Sequence, residues 1–382
     1  MAVCIKEASS RRELKRFVTF PNKLYKKNPY YVPQLVSADM ATFSPQKNHA
    51  FEYCEGRFWL AYDEKGNVVG RVAGIINHNY NKKTGVFYVR FGWLDFVDDA
   101  AVVDALMAQV EAWARERNAE CVCGPVGFLE FDVAGILVEG YDQLPTAYGK
   151  YNAPYYKEHM ERLGYAKDVD WVEYNIPVPD TIPDKLPQYA QLLEDKYGCK
   201  AVQFTRKKDV LVYADQIFDL LNEQFSTIHG FSELSEGQKM DLKKQFFPML
   251  NMNYVRIVVT PEDKVIGFSI CLPSLSKALQ KAKGRLFPFG FLHLLYALRV
   301  NDTLDTLLMA IKKEYNNKGI NALLFNSLFP SIKKGGITSL ESTRQLELNY
   351  KVLNLSRHYA PTLRKRARCY IKYLATNAET NL

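Results

Sequence analysis

The residues with the most chemistry in their spacing lie at 311–329, IKKEYNNKGINALLFNSLF. The apolar run at 307–311 predicts a buried strand. A polar turn follows and ends at Lys318-Gly319, after which Ile320, Leu323, Leu324 and Leu328 recur at helical spacing. A strand, a glycine-bearing turn and a helix start together present free backbone N–H groups to a phosphate. The first amides of a helix lack intrahelical acceptors and sit at the positive end of its dipole. Gly319 lets the backbone come close to an anion, and Lys318 adds a point charge. Strand–turn–helix units with one glycine are common and most bind nothing, so the reading leans on what surrounds it.

Those surroundings are a globular chain of 382 residues, long enough for two domains, with 47% hydrophobic residues. Aromatics reach 13%, with 24 Tyr and 22 Phe, which suits either large apolar clefts or aromatic-rich cores. The net charge of +8 admits a nucleotide, CoA, an anionic membrane surface or nucleic acid and selects none of them. Seven scattered cysteines form no C-x-x-C pair, which argues against zinc and against a disulfide framework and fits a reducing compartment. Cys121 and Cys123 read as buried thiols on one strand face. The six histidines show no ligand spacing, so no metal is expected. His229 and His358 are candidates for proton transfer or for structural hydrogen bonds. The first residues hold no apolar signal core, which leads to the expectation of a cytoplasmic protein.

Strands are expected at 57–62, 68–76, 86–96, 120–123 and 168–176, with a strongly periodic helix starting at Asp98 or Asp99 and running through Val102, Leu106, Val110 and Trp113. Pro177, Pro179, Pro183 and Pro187 then mark a linker. After it the pattern restarts, with helices at 212–225 and 239–250, strands at 255–260, 265–271, 307–311, 337–342 and 366–374, and a helix at 349–357. Both halves therefore follow the same order of elements. The expectation is an α/β (α+β) chain of two similar domains, residues 1–178 and 199–382, joined at 179–198, each a mixed, mostly antiparallel sheet flanked by helices.

That order resembles the GCN5-related N-acetyltransferase (GNAT) superfamily. Its acyl-CoA signature, V-x-P-E-[YF]-[RQ]-x-x-G-x-[GA], has its counterpart here at 311–321. Ile311, Glu314, Tyr315 and Gly319 match, while Lys313 stands for Pro, Asn316 for Arg or Gln, and Asn321 for a small residue. The likeness extends over nearly the whole chain to a group of bacterial tandem-GNAT proteins. It is carried by Asn28-Pro29-Tyr30-Tyr31-Val32-Pro33, Val69-Gly70-Arg71, Gly124-Pro125, Gly140-Tyr141-Asp142, Asn152-Ala153-Pro154-Tyr155-Tyr156, Val265-Ile266-Gly267-Phe268, Pro273, residues 284–290 and residues 341–349. Some proteins of related type acylate lipid amines.

The resemblance implies two tandem acyl-CoA N-acyltransferase domains. Acyl-CoA, as acetyl-CoA or a longer chain, would be the cosubstrate, and a small-molecule or lipid-like amine the acceptor. Asn316, Asn317, Lys318, Gly319, Ile320 and Asn321 would hold the pyrophosphate, and the backbone at Ala310 and Ile311 would polarise the thioester carbonyl. Glu341 or Glu347 would take the amine proton. An ion pair with Arg344 or Arg364 is the alternative for Glu341. Asn349 would orient substrate or cap a helix. Tyr359, or Tyr350, would protonate the leaving thiolate or simply pack. In the first half the corresponding turn reads Phe96-Val97-Asp98-Asp99, acidic and without glycine, so CoA is assigned to the second half and acceptor binding or a structural duty to the first. A different outcome is a non-catalytic regulatory module that binds CoA or nucleic acid.

Two further stretches stand out. Residues 290–298, GFLHLLYAL, are too apolar for an ordinary surface helix, and they suit an acyl groove, a membrane interface or a buried helix. Arg364, Lys365, Arg366, Arg368 and Lys372 form a basic cluster, with Arg364, Arg366 and Arg368 expected on one strand face. No helix-turn-helix or stacking motif accompanies it, so nucleic acid is disfavoured against CoA's 3′-phosphate or a solvated face.

Overall fold

The computed structural model describes residues 2–374. A single twisted sheet runs through them. Its strands in chain order are β1 (Cys4–Glu7), β2 (Cys54–Tyr62), β3 (Val68–Asn77), β4 (Tyr88–Phe96), β5 (Cys121–Gly124), β6 (Ile136–Glu139), β7 (Ala166–Pro177), β8 (Lys200–Gln203), β9 (Val255–Val259), β10 (Val265–Pro273), β11 (Thr303–Ile311), β12 (Ser339–Ser342), β13 (Gln345–Leu346) and β14 (Thr362–Tyr373). The spatial order is β1-β2-β3-β4-β5-β14-β7-β12-β11-β10-β9-β8, with β6 on β14 and β13 on β7. Two neighbouring pairs are parallel, β4 with β5 and β11 with β12. The other pairings are antiparallel, so the sheet is mixed and mostly antiparallel.

Each parallel pair needs a crossover helix. In the first half this is Ala100–Glu116, capped by the Asp99 carboxylate, which accepts from the Ala101 amide at 2.9 Å. It buries Val102, Leu106, Val110 and Trp113 on the sheet. The approach is close enough to need glycine beneath it: a Cβ at Gly70 would lie 2.7 Å from Leu106 and 2.9 Å from Val102. In the second half the crossover is Ile320–Lys334, which buries Ile320, Leu323, Leu324 and Leu328 at the spacing read from the sequence.

Two features depart from a reading of the chain as separate halves. The last strand, β14, does not stay with its own half. It lies between β5 and β7, pairing Tyr370 with Gly124 and Ala367 with Trp171. On its other edge β7 carries β12, with Leu340 opposite Ile176. In addition, the proline-rich stretch at 179–198 contains a helix, Lys185–Tyr197. Pro187 sits in its first turn, where no N–H is required. Ala190 and Leu193 of this helix pack on Ile320, Leu323 and Leu324.

Among the described residues no helix is long and apolar enough to cross a membrane.

Candidate active site

The parallel pair of the second half comes apart. β11 and β12 are in register from Thr303/Ser339 to Thr306/Ser342, and beyond that β11 runs on alone towards Ile311. At the vertex the Thr343 hydroxyl donates to the Thr306 carbonyl at 3.0 Å. Beyond the vertex β11 stays bonded to β10, and the Lys312 amide donates to the Ile266 carbonyl at 2.8 Å. Antiparallel ladders alternate, so Ala310 and Leu308 also turn their backbone groups to β10. The backbone groups of Leu307, Met309 and Ile311 therefore face the open side.

The gap between the parted strands is a cavity of about 270 Å³. Its walls are mostly apolar: Leu307 and Met309 from β11, Phe325 and Leu328 from the crossover helix, Leu340 from β12, and Tyr148 and Trp171 from the first half of the chain. Leu186, on the helix Lys185–Tyr197, closes one side.

The expected anion corner lies at the end of β11. Gly319 has φ +80°, the left-handed conformation that favours glycine, and is the N-cap of Ile320–Lys334 with no side-chain cap. Among the described residues no acceptor binds the amides of Gly319, Ile320 or Asn321. The Lys318 ammonium lies over the rings of Tyr315 at 5.0 Å and Tyr197 at 5.5 Å. The corner is not bare, because a Cβ at Gly319 would meet the Tyr189 hydroxyl at 2.6 Å. Tyr189 is on the same helix as Leu186, one turn further along.

Two charged groups line the cavity that the sequence reading did not single out, Glu130 and Arg344. Glu130 lies in the loop after β5. That loop is shaped by Asp132, whose carboxylate accepts from the Leu129 amide at 3.0 Å. Gly127 leaves room for it, since a Cβ there would fall 2.3 Å from Asp132. Burial pushes the Glu130 carboxyl up to about 7, against the pull of the Arg344, His229 and Arg90 charges. Asp132 is pushed up to about 6, again chiefly by burial. Arg344 donates through Nη2 to the carbonyls of Glu130 at 3.1 Å and Asp132 at 2.7 Å, and stacks over Trp171 at 5.6 Å. Its Nη1 is buried without a protein partner. A proton acceptor tuned near neutrality thus stands with an unsatisfied cationic donor at the wall of an apolar cavity.

The residues expected at the site divide into two groups. Asn349 and Tyr359 line the cavity. Glu341 and Glu347 are held in ion pairs. Glu341 pairs with Arg364, beside the buried Asp305, Glu173 and Lys365. Glu347 meets Arg366 at 2.9 Å and also Lys167, in a network with Asp170 and Arg368. A bulge in β14 between Leu363 and Lys365 sends Arg364 to Glu341, whereas Arg366 and Arg368 share Asp170. Tyr350 is exposed. His229 faces Asp168 at 3.2 Å, and the side chain of His358 lies outside the described residues. Cys121 and Cys123 are buried free thiols. The segment 129–132, which alternates Leu and Phe with two acids, carried the only sequence signal for Glu130; Arg344 appeared there only as a partner for Glu341.

No family model matches the chain. It is 27% identical over 372 residues to Protein YghO of Escherichia coli (strain K12), covering 96% of this chain and 94% of that one. It is 26% identical over 372 residues to the bacterial ceramide synthase of Caulobacter vibrioides (strain NA1000 / CB15N), covering 95% of each. Among solved structures, a tandem GNAT protein from the clavulanic acid biosynthesis pathway superposes with a TM-score of 0.56 at 12% identity, over 97% of this chain and 98% of that one. A GCN5-related N-acetyltransferase from Sphaerobacter thermophilus gives 0.51 at 10% identity, over 97% and 95%. The chain shares the fold of these tandem and GCN5-related N-acetyltransferase structures.

Proposed function

We propose that the chain transfers an acyl group from an acyl-CoA to the amine of a lipid-like acceptor. The observation that carries this reading is the parting of β11 from β12 over an apolar cavity that reaches into the first half of the chain. In this reading the cosubstrate lies on the second unit, 199–382. Its pyrophosphate rests on the amides of Gly319, Ile320 and Asn321, with Asn316, Asn317 and Lys318 at the rim. The first unit, 1–178, has the Asp99 carboxylate at its own corner, where it takes the place a phosphate would need. That unit supplies the acceptor side through Glu130 and Tyr148.

The reaction then runs as an aminolysis. Glu130 takes a proton from the acceptor ammonium or the attacking amine, and the nitrogen adds to the thioester carbonyl carbon. The amide of Ile311, turned to the open side, stabilises the oxyanion. The carbon–sulfur bond breaks and the thiolate takes the Tyr359 proton. Arg344 Nη1 holds a polar group of the acceptor, and Asn349 orients it. Glu341 and Glu347 fix Arg364 and Arg366 behind the site. An apolar wall of Leu307, Met309, Phe325 and Leu328 suits a long acyl chain. The relative named a ceramide synthase supports an amino-alcohol acceptor, since a ceramide is an N-acylated amino alcohol.

Calorimetric titration with acetyl-CoA and palmitoyl-CoA, followed by a thiol-release assay with a sphingoid base, tests this. Tighter binding of palmitoyl-CoA and base-dependent thiol release are expected. If neither thioester binds, the reading fails. Binding without thiol release favours the non-catalytic module, a reading that Tyr189 over Gly319 keeps in play.

A further inference from the structure

The chain has no Asp or Glu between Lys264 and Asn301, but it has five cations there, Lys277, Lys281, Lys283, Arg285 and Arg299. All five are exposed, and among the described residues none is ion-paired. They flank, in sequence, a corner at Phe287-Pro288-Phe289 and the helix Gly290–Arg299 that follows, and the helix Ser276–Ala282 that carries Lys277 and Lys281 packs against Gly290–Arg299. The inner face of this helix is packed: Leu294, Ala297 and Leu298 lie on Val32, Leu275 and Leu279. The outer face, His293 apart, is also apolar, and it is uncovered. Phe287 is 77% exposed, Phe289 69%, Leu292 51%, Leu295 49% and Tyr296 65%.

A helix whose apolar residues spread to its exposed face finds cover in a core or at a membrane. This one has ten residues, too few to span a bilayer. Large apolar side chains gathered on one face are not the scattered single exposures of an ordinary surface. Charge decides what covers them. A second copy docked on the same patch by a two-fold axis would set cations against cations. A nucleic-acid base can stack on a phenylalanine ring, but it leaves the aliphatic Leu292 and Leu295 uncovered. An anionic lipid surface satisfies both halves of the patch, the aromatic corner at the headgroup–acyl boundary and the cations at the phosphates.

We propose that this face docks the protein on an anionic bilayer surface. Phe287, Phe289 and the outer side of Gly290–Arg299 enter the interface, and the flanking cations hold the headgroups. Lys26 and Lys27 add to the basic set, because Gln280 donates to the carbonyls of Pro29 and Tyr31 and ties the neighbouring loop to this part of the chain. The inner face of the same helix belongs to the packed cluster that contains Tyr148, a residue of the cavity wall. Docking therefore sets the cavity one helix away from the lipid. The proposal stands without the acyl-transfer reading.

The test is co-sedimentation of the full-length protein with vesicles of phosphatidylcholine alone, or of equal parts phosphatidylcholine and phosphatidylglycerol. Binding to the mixed vesicles is expected to be at least about tenfold stronger and to weaken with salt. Two variants, Phe287→Ser with Phe289→Ser, and Lys281→Glu with Lys283→Glu and Arg285→Glu, should each lose about tenfold or more in that binding while keeping the parent melting temperature. Hydrogen exchange of the unaltered protein gives a measurement that does not depend on the variants folding. Residues 286–300 should become protected on mixed vesicles. No binding to mixed vesicles, binding unchanged in both variants, or no protection of 286–300 overturns the proposal. A concentration-dependent dimer abolished by the phenylalanine pair also overturns it, in favour of a second copy.

Discussion

Glu130→Gln is the sharpest test of the proposed chemistry. Gln keeps the size and the neutral charge that the glutamic acid has below its pKa, so the loop at 129–132 and its Arg344 contacts, which use backbone carbonyls, stay in place. Burial lifts the Glu130 carboxyl to about 7. At pH 6 roughly a tenth of the molecules then carry the carboxylate, and at pH 8 roughly nine-tenths, so the single-turnover rate of the parent should rise about tenfold between them. The amide that the substitution introduces cannot accept the proton. The rate should fall by ~10²–10⁴-fold and its rise through pH 7 should disappear. Stability moves the other way. A carboxyl with a raised folded pKa keeps its proton in the folded state while the unfolded chain gives it up, so stability falls as pH rises from its ordinary value to about 7. The variant is therefore expected to be no less stable than the parent at pH 7. Rapid-quench measurement of thiol release with saturating palmitoyl-CoA, from pH 5.5 to about 8.5, reads both the rate and its pH limb, and urea unfolding reads the stability. A Glu130→Gln protein that keeps the parent rate, or keeps the pH limb at a lower rate, refutes the assignment of the base. A limb that vanishes in Glu341→Gln or Glu347→Gln instead returns the role to those carboxylates.

Three further outcomes follow from the geometry. Asp305 is buried, has one oxygen without a partner, and is pushed up from 3.8 to about 8, first by burial and then by Glu341. Its raised pKa destabilises the fold as pH rises from 4 through 8. Asp305→Asn should gain up to roughly 4 kcal/mol over the parent at pH 7 and little at pH 4, read by urea unfolding. Removal of β14 by truncation after residue 361 uncovers the facing edges of β5 and β7, so the shortened chain should lose its cooperative melt; a cooperative melt of the fragment 1–178 would contradict this. Tyr189→Ala clears the corner at Gly319 and should tighten CoA binding, whereas Gly319→Ala, which forces a side chain into φ +80° and against Tyr189, should weaken it by about tenfold or more, both read by calorimetry.

Local pattern determined much of this protein. The strand–turn–helix at 307–328 was legible because the apolar period changes within a few residues and Gly319 marks the change. Residues close in sequence set that geometry, and the structure has β11, the turn and the helix Ile320–Lys334 in that order. The crossover helix after Asp99 was legible for the same reason, from an N-cap and an apolar stripe. The helix Lys185–Tyr197 was obscured because proline in a first turn looks like proline in a linker until the packing on Leu323 and Leu324 is known.

The rest depended on contacts between residues far apart in the chain. Nothing local distinguishes a last strand that joins its own half from one that inserts beside β5 and β7; pairing partners more than a hundred residues away decide it. The exposed outer face of Gly290–Arg299 was hidden in the sequence because an apolar run has the same letters whether its neighbours cover one side or all of them. Glu341 and Glu347 had the right type and position for a base, yet the tertiary fold places Arg364 and Arg366 against them. Glu130 had no motif. It became a chemical group only when a loop of the first half closed over the cavity of the second, since a carboxyl acquires a pKa near neutrality from what surrounds it and not from its neighbours in the chain.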